Sequence, residues 1–216
     1  MLPIKLLIFD LDGTLINSLP DLCDATNAMR EHFQLSTLSD KEVRKLVGQG
    51  ARSLVERALP GATAAQVEEG LRVFLDYNLA HIADKTRLYP GVVETLETLH
   101  HRELALSIVS NKNVALCREV LAKLGIEKFF PTVIGADSLP FRKPSPEPLL
   151  AVLKKFGAAT RESVMIGDSI NDMAAGEGAG VITVGCSYGY GDQSELAGAD
   201  FIVADLPALL DLPILA

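Results

Sequence analysis

The sequence has no long apolar run and no recognisable export signal. None of its apolar segments approaches the roughly 18 residues that a membrane-spanning helix needs. The apolar stretch near the N-terminus is interrupted by Asp10 and Asp12, and it lacks the basic-then-apolar layout of a secretory signal. We therefore expect neither secretion nor a membrane partner.

Cysteine is scarce, since the chain contains only Cys23, Cys117 and Cys186. Their number is odd, they lie far apart, and none belongs to a metal-binding spacing such as C-x-x-C. This usage excludes a complete set of disulfides and a cysteine-based zinc site. It favours small buried thiols in a reducing compartment, so we expect a cytoplasmic location.

Positive charge is also in short supply, with 20 Lys and Arg against 28 Asp and Glu and a formal net charge of −8. This balance argues against a broad nucleic-acid-binding surface, and we expect no nucleic-acid partner. An anionic substrate needs a local positive site, because the field of the whole protein does not attract it. The length of 216 residues suits one large domain or a core domain with a small insert.

Hydrophobic periodicity divides the chain into a helical block and an alternating block. Residues 4–9 form an apolar run typical of a buried strand, whereas residues 17–84 show only helical patterns. Capping boxes at residues 39–42 and 63–66 mark two helix starts within that block. From residue 89 onward, short apolar strands alternate with amphipathic helices.

This alternation predicts an α/β fold with a doubly wound, Rossmann-like parallel sheet. We assign residues 1–16 and 87–216 to this core domain. Residues 17–86 are assigned to a small all-helical cap domain, inserted after the first strand. An insertion at that point lies over the carboxyl ends of the strands, where open α/β sheets place their ligands. We therefore expect a lid with hinges near residues 15–19 and 84–90.

Four short polar motifs come after apolar strands or before helices. In chain order they are Asp10-Leu11-Asp12-Gly13-Thr14, Ser110-Asn111, Lys143-Pro144 and Gly167-Asp168-Ser169-Ile170-Asn171-Asp172. The ends of parallel strands gather along one edge of a sheet, so we expect these motifs to share one site. Asp10 and Asp12 should point to the same side of their strand, because alternate residues do.

The residue types in this set predict metal-dependent phosphoryl transfer. Carboxylates without histidine or cysteine are typical ligands of Mg²⁺. The metal ion and Lys143 would supply the positive charge that phosphoryl oxygens need, while Ser110 and Asn111 would supply hydrogen bonds. One carboxylate can attack phosphorus, and a second carboxyl group can protonate the leaving oxygen and later activate water.

At these motifs the chain resembles the phosphatases of the haloacid dehalogenase superfamily that carry a helical cap. All four motifs stand in the order found in that superfamily, and the resemblance covers essentially the whole chain. It implies a Rossmann-like core, Mg²⁺ as the cofactor and a small phosphomonoester as the substrate. The acid at position 12 favours phosphomonoester hydrolysis or mutase chemistry, because members that cleave carbon–halogen or carbon–phosphorus bonds typically lack it.

The resemblance also implies a role for each matched residue. Asp10 corresponds to the nucleophile and to a metal ligand. Asp12 corresponds to the general acid/base, and its backbone carbonyl to a second metal ligand. Asp168 corresponds to the third metal ligand, and Ser110 and Lys143 to the phosphate-binding pair. The other matches are a substrate contact at Asn111, an acid at Asp172 that holds metal-bound water or Lys143, and a loop support at Thr14.

The segment Val47–Leu59 is similar to part of the cap of bacterial phosphoglycolate phosphatases. Its glycines suit a loop directed toward the phosphate site. Gln49 is a candidate substrate contact there, and Arg52 is a candidate partner for a substrate carboxylate. For the later run Tyr188–Gly191, an ordinary turn is preferred over a loop near the site.

We therefore expect a Mg²⁺-dependent phosphomonoester hydrolase that forms an aspartyl-phosphate, with 2-phosphoglycolate as its first substrate. A phosphomutase, for instance one acting on β-glucose 1-phosphate, remains an open alternative. So does a pyrophosphatase or another sugar- or nucleotide-phosphatase of the same fold. A non-enzymatic alternative is a phosphoacceptor signalling domain, which also uses an acidic strand end on a doubly wound sheet. We expect a monomer or a homodimer.

Overall fold

A computed structural model describes residues 3–215 and has a β-sheet at its centre. The strands are short, and six of them belong to the main sheet. In chain order the strands are β1 (Leu6–Phe9), β2 (Ile16–Asn17), β3 (Arg87–Leu88), β4 (Ala105–Val109), β5 (Thr132–Ile134), β6 (Ser163–Gly167), β7 (Ile182–Cys186) and β8 (Phe201–Val203).

Helices precede or follow most of these strands. The first four α-helices come between β2 and β3, and the others alternate with strands of the main sheet. They are α1 (Leu19–His32), α2 (Asp40–Arg44), α3 (Ala51–Ala58), α4 (Ala64–Ala80), α5 (Val92–His101), α6 (Val114–Lys123), α7 (Glu147–Phe156) and α8 (Ile170–Ala179). In the described range, no helix is long and apolar enough to cross a membrane.

The main sheet has the strand order β5-β4-β1-β6-β7-β8, and all neighbouring pairs are parallel. The chain adds β4 and β5 on one side of β1, and then β6, β7 and β8 on the other. This is a doubly wound sheet, so the predicted Rossmann-like α/β fold is confirmed. The arrangement places the carboxyl ends of β4, β1 and β6 next to one another.

Alternate residues of β1 pack on opposite faces of the sheet. Leu7 and Phe9 belong to one apolar cluster, while Leu6 and Ile8 belong to another. All four side chains are fully buried. Helices therefore cover the sheet on both faces, which explains why this strand is apolar without interruption. The three cysteines are also buried and free, as expected.

The helices between β2 and β3 pack around an apolar cluster of their own. Met29 of α1, Val55 of α3 and Phe74 of α4 are among its buried members. Both predicted capping boxes are present. In the second box, for example, the Gln66 nitrogen donates to Thr63 Oγ1 at 3.3 Å and the Thr63 nitrogen donates to Gln66 Oε1 at 2.9 Å.

Some local predictions differ from the structure. No strand was predicted at Ile16–Asn17 or at Arg87–Leu88, but these segments pair where the chain enters and leaves the helical block. Strands of two residues are too short to show an alternating pattern. The first strand begins at Leu6 and not at residue 4, and a 3₁₀ helix, Pro207–Asp211, follows the last strand. Residues 1, 2 and 216 of the predicted core segments lie outside the described residues.

Candidate active site

Three neighbouring strands deliver the first site residues. Asp10 follows β1, Ser110 follows β4, and Asp168 follows β6. The register pairs Phe9 with Ile108 on one side and with Ile166 on the other, so these strand ends lie level with one another. The prediction that the motifs meet at one edge of the sheet is therefore confirmed by the topology.

Three carboxylates form a compact cluster at this edge. Asp10, Asp168 and Asp172 each offer an oxygen atom, and these atoms lie within 4.8 Å of one another. Asp168 and Asp172 are buried, whereas 13% of the Asp10 side chain is exposed. Burial, aided by the neighbouring carboxylates, raises the pKa of Asp168 to about 8. Burial also raises the pKa of Asp10 to about 6, although Lys143 opposes that rise.

Lys143 occupies a buried position behind this cluster. Its Nζ lies 3.0 Å from Asp10 Oδ1 and 2.6 Å from Asp172 Oδ1, and it donates to the Val109 carbonyl at 2.6 Å. Burial by itself lowers the pKa of this lysine, but the Asp10 and Asp172 carboxylates outweigh that effect and raise it. The ammonium group therefore stays charged and partly neutralises both acids.

Asp12 has a different partner, Lys112. The Lys112 ammonium lies 3.2 and 3.3 Å from the two carboxylate oxygens of Asp12. Both side chains are largely buried, with 6% of Lys112 and 11% of Asp12 exposed. The Ser18 hydroxyl also donates to Asp12. The sequence reasoning gave Lys112 no role, although the residue stands directly after Ser110-Asn111.

The charges of this region suit a divalent cation. If all four acids are ionised, the carboxylates of Asp10, Asp12, Asp168 and Asp172 face only the two ammonium groups of Lys112 and Lys143, which leaves two negative charges uncompensated. All the charged donors are hard oxygens, as Mg²⁺ prefers. A cation among them would oppose the effect of burial and of the neighbouring acids on the pKa of Asp168, and so keep that carboxyl group ionised. The residues present therefore fit a metal site.

Two residues of the first motif shape the space around Asp168. Gly13 has φ +88°, and a Cβ atom at this position would lie 2.3 Å from Asp168 Oδ2. Only glycine meets both the conformational and the steric demand. Thr14 donates its hydroxyl hydrogen to Asp168 Oδ1 at 2.9 Å and is fully buried. Its predicted function as a loop support agrees with this contact.

Asn111 connects the sheet edge to the helical segment. Its Nδ2 donates to the Lys143 carbonyl and to the Gly48 carbonyl, both at 2.9 Å. Asn171 Nδ2 approaches the same Gly48 carbonyl at 3.3 Å. Two amides of the α/β core thus hold one carbonyl of the glycine loop that connects α2 to α3, as expected for a loop directed toward the site.

The two predicted cap contacts, Gln49 and Arg52, lie in different surroundings. Gln49 lines the site cavity, where its Oε1 accepts a hydrogen bond from Ser53. Arg52 lies outside that cavity and forms two hydrogen bonds to Glu68, at 2.8 and 2.9 Å. The structure therefore brings Gln49 to the site but not Arg52. The helical register of α3 and the presence of Glu68 on α4 decide this difference.

The run Tyr188–Gly191 contributes more than an ordinary turn, so that interpretation was incomplete. The Tyr190 nitrogen donates to Asp168 Oδ2 at 2.7 Å. A Cβ atom at Gly189 would lie 2.2 Å from Asp168 Cβ, so this glycine allows the loop to approach the acid. Arg44 of α2 donates to the Gly189 and Tyr190 carbonyls at 2.8 and 2.9 Å. The repeated Tyr-Gly pattern could have indicated from the sequence that this loop approaches the site.

A cavity of about 520 Å³ opens between this edge and the helical segment. Asp10, Asp12, Ser110 and Asp168 line it on the side of the core. Basic side chains line it as well, in a protein whose net charge is negative. They are Lys41, Arg44, Lys45, Arg57 and Lys112. The arrangement can hold a cation and an anionic small molecule side by side, with two differently paired carboxylates between them.

The fold and this site define a doubly wound α/β protein with an acidic, oxygen-rich centre, and comparison with known proteins identifies the family. Residues 7–186 match the family model described as haloacid dehalogenase-like hydrolase. That match covers most of the chain. The chain therefore belongs to the haloacid dehalogenase-like hydrolase family, as the sequence motifs indicated.

Curated relatives extend along nearly the whole length. The chain is 41% identical over 214 residues to a phosphoglycolate phosphatase of Chromobacterium violaceum, a match that covers 97% of this chain and 96% of the relative. It is 38% identical over 218 residues to a phosphoglycolate phosphatase of Haemophilus influenzae, which covers 96% and 97%. These relatives and the family match establish the chain as an enzyme of the phosphatase type.

A solved structure supports the same assignment. The crystal structure of a predicted phosphoglycolate phosphatase from Haemophilus somnus superposes with a TM-score of 0.92 at 34% identity. The superposition covers 96% of this chain and 97% of the other. The similarity includes the helical segment as well as the sheet, because so little of either chain is left out.

Proposed function

We propose that this enzyme hydrolyses 2-phosphoglycolate to glycolate and phosphate through an aspartyl-phosphate on Asp10. The observation that carries the proposal is the unequal pairing of two neighbouring acids. Asp10 faces Lys143 and the metal-type cluster, whereas Asp12 pairs with Lys112 and Ser18. Two carboxyl groups in different environments are suited to two different roles in one reaction.

Asp10, Asp168 and the backbone carbonyl of Asp12 are the residues that we expect to hold Mg²⁺. The bound ion would neutralise charge on the phosphoryl oxygens. Thr14 and the Tyr190 nitrogen fix Asp168 from two sides. Asp172 is assigned to orient Lys143 through its 2.6 Å contact.

In the first half of the reaction, a carboxylate oxygen of Asp10 attacks phosphorus while the bond to the bridging oxygen breaks. Asp12 gives its proton to that oxygen, so glycolate leaves as an alcohol. Ser110 and Lys143 are assigned to bind the phosphoryl oxygens. In the second half, Asp12 takes a proton from water, whose oxygen attacks the aspartyl-phosphate and releases phosphate. Both acids then return to their starting states.

Residues 17–86 form the cap domain in this proposal, and residues 1–16 and 87–216 form the core. Contacts across the cavity support a closed arrangement, in which Asn111 holds Gly48 and Arg44 holds the loop at Gly189. Opening at the hinges would release these hydrogen bonds and admit substrate. Closure would exclude bulk water while the phosphoryl group is transferred.

The choice of 2-phosphoglycolate rests on the relatives' names and on the charge of the cavity. The basic side chains that line the cavity favour a substrate with a second anionic group besides its phosphate. A carboxylated phosphomonoester meets this demand.

The proposal is tested by phosphate release from a panel of phosphometabolites in the presence of Mg²⁺. The panel contains 2-phosphoglycolate, sugar phosphates, nucleotides and pyrophosphate. We expect the highest kcat/KM for 2-phosphoglycolate and no release in excess EDTA. A higher kcat/KM for another compound would overturn the substrate assignment, and isomerisation of β-glucose 1-phosphate without release would favour the mutase.

A further inference from the structure

Lys112 lines the cavity from the core, and only 6% of its side chain is exposed. Its backbone is fixed, because its nitrogen donates to Ser110 Oγ at 3.3 Å and its carbonyl accepts from Ala136 at 3.0 Å. Within residues 3–215, the ammonium hydrogen-bonds only to the two oxygens of Asp12. An ammonium group has three donors, so it can also bind a ligand.

The other basic side chains of the cavity are engaged elsewhere or exposed. Arg57 donates to the carbonyls of Lys45, Leu46 and Ser53, and thereby holds the loop after α2. Arg44 uses two of its nitrogens on the Gly189–Tyr190 loop. Lys41 and Lys45 are exposed. Lys112 is thus the buried cation with spare hydrogen-bonding capacity beside the acids.

The position of Lys112 relative to Asp12 sets the distance at which it would meet a substrate group. Asp12, as the proposed general acid, must hydrogen-bond to the bridging oxygen, at about 2.5–3.0 Å. In 2-phosphoglycolate a single methylene separates this oxygen from the carboxylate. Lys112 Nζ lies 3.2 Å from Asp12 Oδ1. When the bridging oxygen hydrogen-bonds to Asp12, the carboxylate of the substrate therefore lies within reach of the Lys112 ammonium group.

We propose that Lys112 binds the substrate carboxylate and selects phosphate esters that carry it one carbon from the bridging oxygen. This inference rests on the proposed function and assigns the specificity to a residue of the core. Because Lys112 belongs to the core, its place beside Asp12 does not change when the cap opens or closes. A longer substrate would carry its carboxylate past Lys112 toward the cap, where exposed lysines offer weaker, solvent-screened contacts.

The experiment compares three esters of equal chain length and different charge: 2-phosphoglycolate, ethyl phosphate and 2-aminoethyl phosphate. Their kcat/KM values are measured for the wild type, Lys112→Met and Lys112→Arg. In Lys112→Met we expect the preference for 2-phosphoglycolate over ethyl phosphate to fall about 100-fold, mainly through KM. 2-Aminoethyl phosphate should gain relative to ethyl phosphate, and Lys112→Arg should keep most of the preference for the carboxylate.

The matched control is Lys123→Met, which makes the same change at an exposed lysine at the end of α6. It should leave all three kcat/KM values unchanged. If Lys112→Met does not fold, the ratio of kcat/KM for 2-phosphoglycolate to kcat/KM for ethyl phosphate is measured in Lys112→Gln. This variant retains a hydrogen-bond donor toward Asp12.

An equal loss for all three esters would overturn the inference, because Lys112 would then act only through Asp12. This outcome leaves the proposed function intact if the wild type still prefers 2-phosphoglycolate. A wild type that prefers ethyl phosphate would contradict both.

Discussion

The Tyr190 hydroxyl lies 2.7 Å from the backbone nitrogen of Ser18, where helix α1 begins. It also accepts from the Leu19 nitrogen at 3.0 Å. The Ser18 side chain is unavailable as a helix cap, since its hydroxyl donates to Asp12. Tyr190 therefore caps α1 from a distant loop, while its own backbone holds Asp168. One residue thus connects the metal-type cluster to the proposed hinge.

Replacing Tyr190 by Phe removes this cap and keeps the backbone contact to Asp168. We expect a loss of about 1–2 kcal/mol in the free energy of unfolding, because the Ser18 N–H loses its partner and the Leu19 N–H keeps only a longer contact to Asn17 Oδ1, at 3.4 Å. Urea denaturation measures this, and limited proteolysis should show faster cleavage near residues 15–19. Tyr77→Phe, at an α4 tyrosine without a side-chain hydrogen bond in the described structure, is the control. Equal stability of both variants would exclude capping by Tyr190.

Replacing Lys143 by Met leaves Asp10 and Asp172 close together and without their shared cation. We expect loss of phosphate release and a destabilisation of about 3–5 kcal/mol near neutral pH. Because the buried acids can escape repulsion only by binding protons, the variant should recover stability as the pH is lowered. Urea denaturation at two pH values tests this. A destabilisation that is the same at both would contradict the charge argument.

The raised pKa values of Asp10 and Asp168, about 6 and about 8, predict how metal binding depends on pH. Without metal, the folded protein binds more protons than the unfolded chain between the ordinary value of 3.8 and these values. Its stability therefore falls as the pH rises through this range. Mg²⁺ must displace the same protons, so its binding strengthens over that range.

We therefore expect the melting temperature in EDTA to fall between about pH 5 and about pH 8, and the increase caused by Mg²⁺ to grow. Differential scanning calorimetry measures both effects. Asp168→Asn should weaken the pH dependence and the response to Mg²⁺. A Mg²⁺-induced increase that is equal at both pH values would contradict the metal assignment.

Arg52 provides a further test, because the sequence predicts a contact with substrate whereas the structure pairs this residue with Glu68. The sequence predicts that Arg52→Ala raises KM for a carboxylated substrate more than for p-nitrophenyl phosphate. The hydrogen bonds from Arg52 to Glu68 place the charge outside the cavity. We therefore expect less than about a threefold change in KM, equal for both substrates. A selective rise for 2-phosphoglycolate in steady-state kinetics would restore the original assignment.

The sequence predicted the fold and the acidic centre because strong local patterns determine both. Asp10 and Asp168 stand directly after buried apolar strands, and parallel strands can place such residues only at one edge. The contributions of Lys112, Arg52 and Tyr190 could not be derived in this way. Each depends on a side chain that reaches an element distant in sequence, and helical periodicity does not show which partner it will find.

The helical block illustrates the same limit. Its capping boxes were recognisable because the partners lie three residues apart. The pairing of β2 with β3 was not, since these strands stand on either side of the whole block. Sequence patterns therefore located the helices, while the way in which the block is fastened to the core appears only in the structure.

Phosphorylation of Asp10 is the step on which the proposed reaction depends, and rapid acid quenching can detect it. The enzyme is mixed with 2-phosphoglycolate and Mg²⁺, quenched within the first turnover and analysed by peptide mass spectrometry. We predict a phosphoryl group on the peptide containing Asp10 in the wild type and none in Asp10→Asn. Phosphate release by that variant should fall by more than about 10⁴-fold while it remains folded. Appreciable turnover by Asp10→Asn, or a phosphoryl group on another residue, would contradict the account.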